Sequence, residues 1–197
     1  MTTHLTEPTS YPTTLHPRVI GLDISITSTG LADFTHHGRE VTTKTIRSKP
    51  AAPSTTAMHT RLTRIVHEIT EHITRGPHPA LIVVEGPSYS SKGNALHQIA
   101  GLWWLTIDAL TIARHPIAVV PPSVLKKYAT GRGNADKTAM AVALAKRADG
   151  YELRDDNQVD AWWLAAAGRD HLGVPYLPMP KAQREALDAV TWPEVTA

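Results

Sequence analysis

Four acidic residues from separate parts of the chain have the types and spacing expected of a metal-dependent site. Asp23 interrupts the apolar run at residues 18–26, a pattern typical of a buried strand. Glu85 ends a second apolar run, and Asp156 and Asp160 lie four residues apart where a helix is predicted to begin, on one side of it. Because an unpaired buried carboxylate is strongly disfavoured, Asp23 needs a cationic side chain or a metal ion beside it.

The metal is favoured because no Lys or Arg is expected on the same face of that strand. Carboxylates that converge at one sheet edge repel one another unless cations lie between them. The chain has no cysteine, and oxygen ligands alone favour Mg²⁺ or Mn²⁺ over zinc. Two such ions about 4 Å apart would stabilise the attacking water and the leaving oxygen of a phosphodiester. The alternative for Asp23 is a strand-end carboxylate that accepts hydrogen bonds from backbone amides.

Basic residues adjoin these acids along the chain. Residues 122–147 contain six Lys or Arg and one acid, whereas residues 149–160 contain five acids and one Arg. This pattern fits a protein that holds a polyanion beside a carboxylate cluster, although two solvated helix faces would look the same. The basic residues that could contact phosphate are Lys126, Lys127, Arg132 and Lys137.

The aromatic residues of interest lie in one loop and in two predicted helices. Tyr89 and Lys92 lie in a polar loop after the Gly86-Pro87 break, where an aromatic ring could stack on nucleic-acid bases or be an ordinary loop tyrosine. The helix with Trp103 and Trp104 is expected to supply core or a dimer face. Trp162 and Trp163 are expected in the core.

The predicted elements alternate in a way that defines the fold class. The order is a three-stranded meander, a helix, and then alternating strands and helices, with a turn at Ser28-Thr29-Gly30. It predicts an α/β fold, in which a mixed five-stranded sheet is flanked by helices on both faces. We expect residues 1–17 to be a flexible tail, 18–168 one folded domain, and 169–197 a tail with a short helix.

Composition and motif spacing exclude several other classes. The 197 residues are 42% hydrophobic and 19% charged, as in soluble globular proteins, and no apolar run approaches the roughly 20 residues that span a bilayer. The N-terminus has no apolar core of a secretory signal, so a cytoplasmic protein is expected. His67 and His72 are five apart rather than four and are expected on the solvated surface. Residues 131–138 place Asp136 where a P-loop needs glycine.

Several short motifs also match a known family in order and spacing. They are Gly21-Leu22-Asp23 with Ser25 and Thr29-Gly30; Glu85; Asn94-Ala95-Leu96 with Gln98, Ala100 and Gly101; Pro122-Ser123 with Lys126, Gly131, Gly133 and Ala135-Asp136-Lys137; and Asp160-Ala161 with Leu164-Ala165. Over residues 18–168 the chain resembles the RuvC-type Holliday junction resolvases of the RNase H-like nuclease superfamily.

The resemblance implies a homodimeric, Mg²⁺-dependent endonuclease that nicks two strands of a four-way DNA junction symmetrically. It implies that Lys126 and Lys137 contact the DNA backbone, with Lys137 near the scissile phosphate, and that Tyr89 separates bases. It also suggests branch-migration machinery as a partner. The metal ligands it implies are Asp23, Glu85 and Asp160.

One position departs from the family. Three residues before the last acid the family has Asp or His, whereas this chain has Asn157, with Asp156 beside it. Asn157 could coordinate a metal through its amide oxygen, and Asp156 is the favoured replacement because it lies near Asp160 on the helix. The alternatives are a related nuclease for other branched DNA or for RNA, a non-catalytic junction-binding module, and a small actin-like or sugar-kinase-like ATPase, which would need a longer chain.

Overall fold

A mixed five-stranded sheet forms the centre of the computed structural model, which describes residues 16–35, 40–87, 94–148 and 155–195. The strands are β1 (Val19–Asp23), β2 (Ser28–Phe34), β3 (Val41–Arg47), β4 (Leu81–Glu85) and β5 (Ile117–Val120). Their order is β3-β2-β1-β4-β5, with β1, β2 and β3 antiparallel and β4 parallel to both β1 and β5. The predicted fold class is confirmed.

Helices cover both faces of this sheet. The first face carries α1 (Thr55–Thr74) and α2 (Asn94–Ile112), and the second carries α3 (Pro122–Thr130), α4 (Lys137–Ala145) and α5 (Asp156–His171). A short α6 (Lys181–Arg184) and a 3₁₀ turn (Glu185–Ala189) follow. None of the helices described for this chain has the length and apolarity that a membrane crossing requires.

Local sequence explains where the principal helices begin and which face they bury. Ser54 caps α1 by accepting a hydrogen bond from the Ala57 amide, as polar N-cap residues do. Buried leucine and isoleucine side chains of α1 recur at helical spacing and pack on the sheet. The Asp155 side chain caps α5 through the Gln158 amide. The buried Trp162 and Trp163 confirm the expectation that these rings belong to the core.

The first β-turn differs from the sequence expectation. The predicted turn at Ser28-Thr29-Gly30 is wrong, because those residues begin β2 and the turn occupies residues 24–27. The Thr29 hydroxyl donates to the Ser25 carbonyl at 2.7 Å and accepts from the Ser25 amide at 3.2 Å. The turn is therefore closed by a strand side chain, and Gly30 pairs with Asp23 across the ladder.

A buried ion cluster lies at the opposite end of β1. Arg18 contacts Asp33 at 2.6 Å, and His72 Nε2 lies 3.1 Å from the same carboxylate, so the expectation that His72 is a solvated surface residue is wrong. Burial alone would raise the pKa of Asp33, but hydrogen bonds from His72 and Arg18 outweigh it and hold the pKa below 3.8. This carboxylate therefore stabilises the fold above its unfolded pKa, and that stability is lost as the pH falls through the folded value.

Helix α5 lies directly on the backbone of the two central strands. A Cβ added at Gly21 would be 2.0 Å from the Ala161 carbonyl oxygen, and one at Gly30 would be 2.0 Å from the Asn157 carbonyl oxygen. Real side chains do not fit at such distances. Gly21 lies in the middle of β1, and Gly30 pairs with Asp23 at its carboxyl end, so the first half of α5 is held against the carboxyl half of β1.

Replacing Gly21 with alanine should therefore destabilise the protein strongly. Its Cβ would meet backbone atoms of α5, which cannot rotate away as a side chain can. We expect Gly21→Ala to lower the free energy of unfolding by about 3 kcal/mol, measured by chemical denaturation. The matched control is Gly101→Ala, where the nearest atom is 3.7 Å away on Leu62. That change should stabilise α2 by about 1 kcal/mol, and equal effects of the two would contradict the packing argument.

Candidate active site

Three of the predicted acids face one pocket at the carboxyl end of the parallel strands. Asp23 ends β1 and Glu85 ends β4, on adjacent strands of the sheet. Asp160 projects from the start of α5 into the same pocket, which has a volume of about 440 Å³. Lys137 and Asn157 also line it. The structure therefore brings together side chains that lie up to 137 positions apart in the sequence.

The three carboxyl groups lie close enough for their negative charges to repel one another. Burial, followed by the charge of Asp160, raises the pKa of Asp23 to about 7. Burial and the charges of Asp23 and Asp160 raise the pKa of Glu85 to about 8, and burial raises that of Asp160 to about 6. Asp23 and Glu85 lie close enough for each carboxyl group to affect the pKa of the other. The pocket is thus short of positive charge.

The donor set fits a hard divalent cation. All three side chains offer oxygen, and such a cation would offset the repulsion between their carboxylates. Within the described ranges, no three His, Cys, Asp or Glu side chains are arranged so that they could hold one ion in common. Mg²⁺ is commonly held by one or two carboxylates, with water and substrate phosphate completing its shell. The pocket fits that open form of site rather than a closed cage.

Asp156 and Asn157 have different surroundings. The Asp156 carboxylate is exposed and lies 3.4 Å from Lys137 Nζ, outside the pocket lining. Asn157 lines the pocket, and its side-chain nitrogen donates to Ser28 Oγ at 2.7 Å. The amide oxygen, which could bind a cation, is thereby oriented by a residue on β2.

Sequence reasoning missed two residues that hold residues of the pocket in place. The Trp103 indole donates to the Glu85 carbonyl at 3.0 Å and so ties α2 to the end of β4. Ser28 fixes Asn157. Neither contact has a local signal in the sequence, since the partners are 18 and 129 residues apart.

Part of the predicted basic block lies beside the pocket, since Lys137 lines it and Lys126 is near two of its acids. The positive charge of Lys126 on α3 lowers the pKa values of both Glu85 and Asp160, although burial dominates. Lys127 and Arg132 are exposed on α3 and in the turn that follows it. Two further predicted DNA-binding residues, Tyr89 and Lys92, lie outside the described residues.

Solved structures share this architecture. The chain superposes on Thermus thermophilus RuvC with a TM-score of 0.62 and 20% sequence identity, covering 83% of this chain and 99% of that one. The fold is RNase H-like. T. thermophilus RuvC in complex with a Holliday junction substrate gives a TM-score of 0.65 at 20% identity, covering 84% and 100%. No protein-family model matches the chain, and no curated protein matches it significantly.

The raised carboxyl pKa values predict how stability depends on pH. They lie near 6 to 8 in the folded protein, against 3.8 and 4.5 for ordinary Asp and Glu. The folded state therefore holds extra protons, and the metal-free protein should lose stability as the pH rises from about 4 to about 8. Mg²⁺ should restore this stability. The increase in melting temperature on adding Mg²⁺ should therefore become larger as the pH rises from about 4 to about 8.

The variant Asp23→Asn tests this electrostatic explanation. In EDTA at about pH 8 it should melt above the wild type, because one of the opposing charges is gone, and its gain from Mg²⁺ should be smaller. Scanning calorimetry with and without the metal measures both quantities. An identical Mg²⁺ response in the two proteins would contradict the assignment of Asp23 to a cation site.

Proposed function

We propose that this protein is a metal-dependent endonuclease that cuts branched DNA, with four-way junctions as its preferred substrate. The observation that carries the proposal is the convergence of Asp23, Glu85 and Asp160 in one pocket beside two lysines. The RNase H-like fold supports it. Acids that repel one another are poorly suited to a purely structural role, because each raises the pKa of its neighbours.

Each side chain of the pocket has a distinct role in this proposal. Asp23, Glu85 and Asp160 would hold two Mg²⁺ ions, for which Mn²⁺ would substitute. The bound metal would supply activation of a water molecule and stabilisation of the leaving oxygen of the phosphodiester. Lys137, which lines the same pocket, neutralises charge on the scissile phosphate. Lys126 holds the neighbouring backbone.

Asn157 is the better candidate for the fourth metal ligand. It lines the pocket, whereas the carboxylate of Asp156 points to Lys137. Asp156 then orients the Lys137 ammonium, acting through that lysine rather than on the metal. An amide ligand adds no negative charge, which suits a pocket whose carboxylates already repel one another.

The substrate is proposed from charge and from the solved relative. T. thermophilus RuvC has been solved in complex with a Holliday junction substrate. In this chain Lys127 and Arg132 would hold phosphates of one arm, and Tyr89 and Lys92, by their place in the sequence, would contact the bases and backbone at the branch. Branch-migration machinery stays a predicted partner.

Cleavage by an acid-to-amide variant tests the nuclease. Asp23→Asn should bind a four-way junction as the wild type does but cut it at least about a hundredfold more slowly, because metal activation is lost. The assay compares junction, flap, duplex and RNA–DNA hybrid with Mg²⁺ and with Mn²⁺. Asp188→Asn, an exposed acid in the distant 3₁₀ turn, is the matched control.

Three outcomes of that assay would decide against parts of the proposal. Cleavage by Asp23→Asn at the wild-type rate would contradict the proposed metal site. Binding of junctions without any cleavage by the wild type would favour a non-catalytic module. Equal cutting of the linear duplex, or preferred cutting of RNA, would remove the junction preference.

We further propose that α2 forms the interface of a homodimer. Among the described residues, four of the five exposed large hydrophobic side chains lie on this helix, including Trp104 at 65% and Ile112 at 74% exposure. A patch of this kind is typical of a protein interface. Two copies joined through α2 would present two acidic pockets, as paired nicking of a junction requires.

Charges introduced into this face should separate the copies. We expect light scattering to give twice the chain mass of 21.5 kDa for the wild type, and the monomer mass for Trp104→Glu combined with Ile112→Glu, because burying carboxylates is costly. Val142→Glu, on the exposed hydrophobic of α4, should leave the dimer intact. A monomeric wild type at all concentrations would refute the interface.

A further inference from the structure

A second cationic surface lies on the opposite side of the pocket from α3. It is a groove of about 500 Å³ between the end of β3 and the first turns of α1, lined by Arg47, Lys49, Ala51, Ala57, Thr60, Arg61 and Arg64. We call it the β3–α1 groove. Among the residues that the structure describes, four cations and no acid line it.

Part of this groove is held rigidly by hydrogen bonds. Arg61 Nε donates to Ser48 Oγ at 2.8 Å, and Arg61 Nη2 donates to the Ile26 carbonyl at 3.2 Å. Arg64 Nη2 donates to the Arg47 carbonyl at 3.1 Å. These contacts join the loop after β1, the end of β3 and α1. The groove therefore has a fixed shape without a bound ligand.

Other side chains of the groove are available to a ligand. Lys49 is exposed and makes no ion pair or hydrogen bond within the described part of the chain. Arg47 is 73% exposed, and its ion pair with Asp155 is 3.2 Å long. Arg64 is paired with Glu68 but is nearly half exposed. Surface pairs of this kind are weak, so a stronger anion can replace them.

The groove is connected to the acidic pocket through one pair of residues. Arg47 pairs with Ser28 in the β2–β3 ladder, and Ser28 accepts the hydrogen bond of Asn157, which lines the pocket. The lysines of α3 follow β5 at the other edge of the sheet. Four strand spacings separate the two edges, roughly 19 Å. Positive charge thus flanks the acids on both sides.

We propose that the β3–α1 groove binds the phosphodiester backbone of a nucleic acid, as a second phosphate track opposite the lysines of α3. A strand that crosses the pocket would be held on both sides of the scissile phosphate. The chemistry is that of guanidinium and ammonium groups with phosphate oxygens. The inference deepens the proposed function and rests on it for the identity of the strand that is cut.

The salt dependence of binding tests the track. Each phosphate contact contributes about 0.9 to the slope of log K against log salt. Lys49→Gln should reduce the slope for a labelled four-way junction by about 0.9, and Lys49→Gln with Arg47→Gln by about twice that amount. Binding is measured in EDTA with the full chain, so cleavage plays no part. Lys126→Gln is the positive comparison, and Lys181→Gln, 91% exposed on α6, is the matched control.

A chemical probe locates the contact independently. The chain contains no cysteine, so Lys49→Cys offers a single thiol for a photocrosslinker. We expect it to crosslink junction DNA efficiently, and a crosslinker on Lys181→Cys to fail. Crosslinking at both positions alike would overturn the proposal.

The two proposals fail in distinguishable ways. An unchanged slope for Lys49→Gln, together with a reduced slope for Lys126→Gln, would overturn the groove and leave the nuclease standing. A reduced slope for Lys49→Gln in a wild type that cuts no substrate with Mg²⁺ or Mn²⁺ would support the groove and overturn the nuclease.

Discussion

Helix α5 reaches the acidic pocket because it lies directly on the backbone of β1 and β2. Gly21 and Gly30 leave the space that the carbonyl oxygens of Ala161 and Asn157 occupy. Those two oxygens are about one helical turn apart, so the two contacts fix both the depth and the rotation of the helix. Asp160 immediately precedes Ala161. Its position is therefore set by backbone packing rather than by interactions of its own carboxylate.

Buried acids at the two ends of the sheet have opposite electrostatic surroundings. At one end Asp33 receives Arg18 and His72, which outweigh its burial and lower its pKa. At the other end Asp23 and Glu85 lie beside further acids, and their pKa values rise. Asp33 is therefore compensated by a direct ion pair, whereas Lys126 and Lys137 do not outweigh the burial of the acids where we propose that cations and phosphate bind. Such an arrangement is typical of functional sites.

How much could be predicted from the sequence depended on how local each signal was. The apolar run that Glu85 ends predicted β4, and acids at two strand ends and at the start of a helix indicated the pocket. The beginning of β2 could not be predicted, because Ser28 and the next two residues have the composition of a turn, and a tertiary contact with Asn157 keeps them in the strand. The β3–α1 groove was missed because Lys49 and Arg61 lie in separate segments that form no charge run.

The central claim is that Asp23, Glu85 and Asp160 share divalent cations, and proton release on metal binding tests it most directly. Calorimetric titration of Mg²⁺ into the protein near pH 7, in buffers of different ionisation enthalpy, gives the number of protons displaced per chain. Because these carboxyl groups hold protons in the metal-free fold, the account predicts binding that releases about one proton or more and that releases fewer at higher pH. Binding without proton release, or no binding at all, would contradict it.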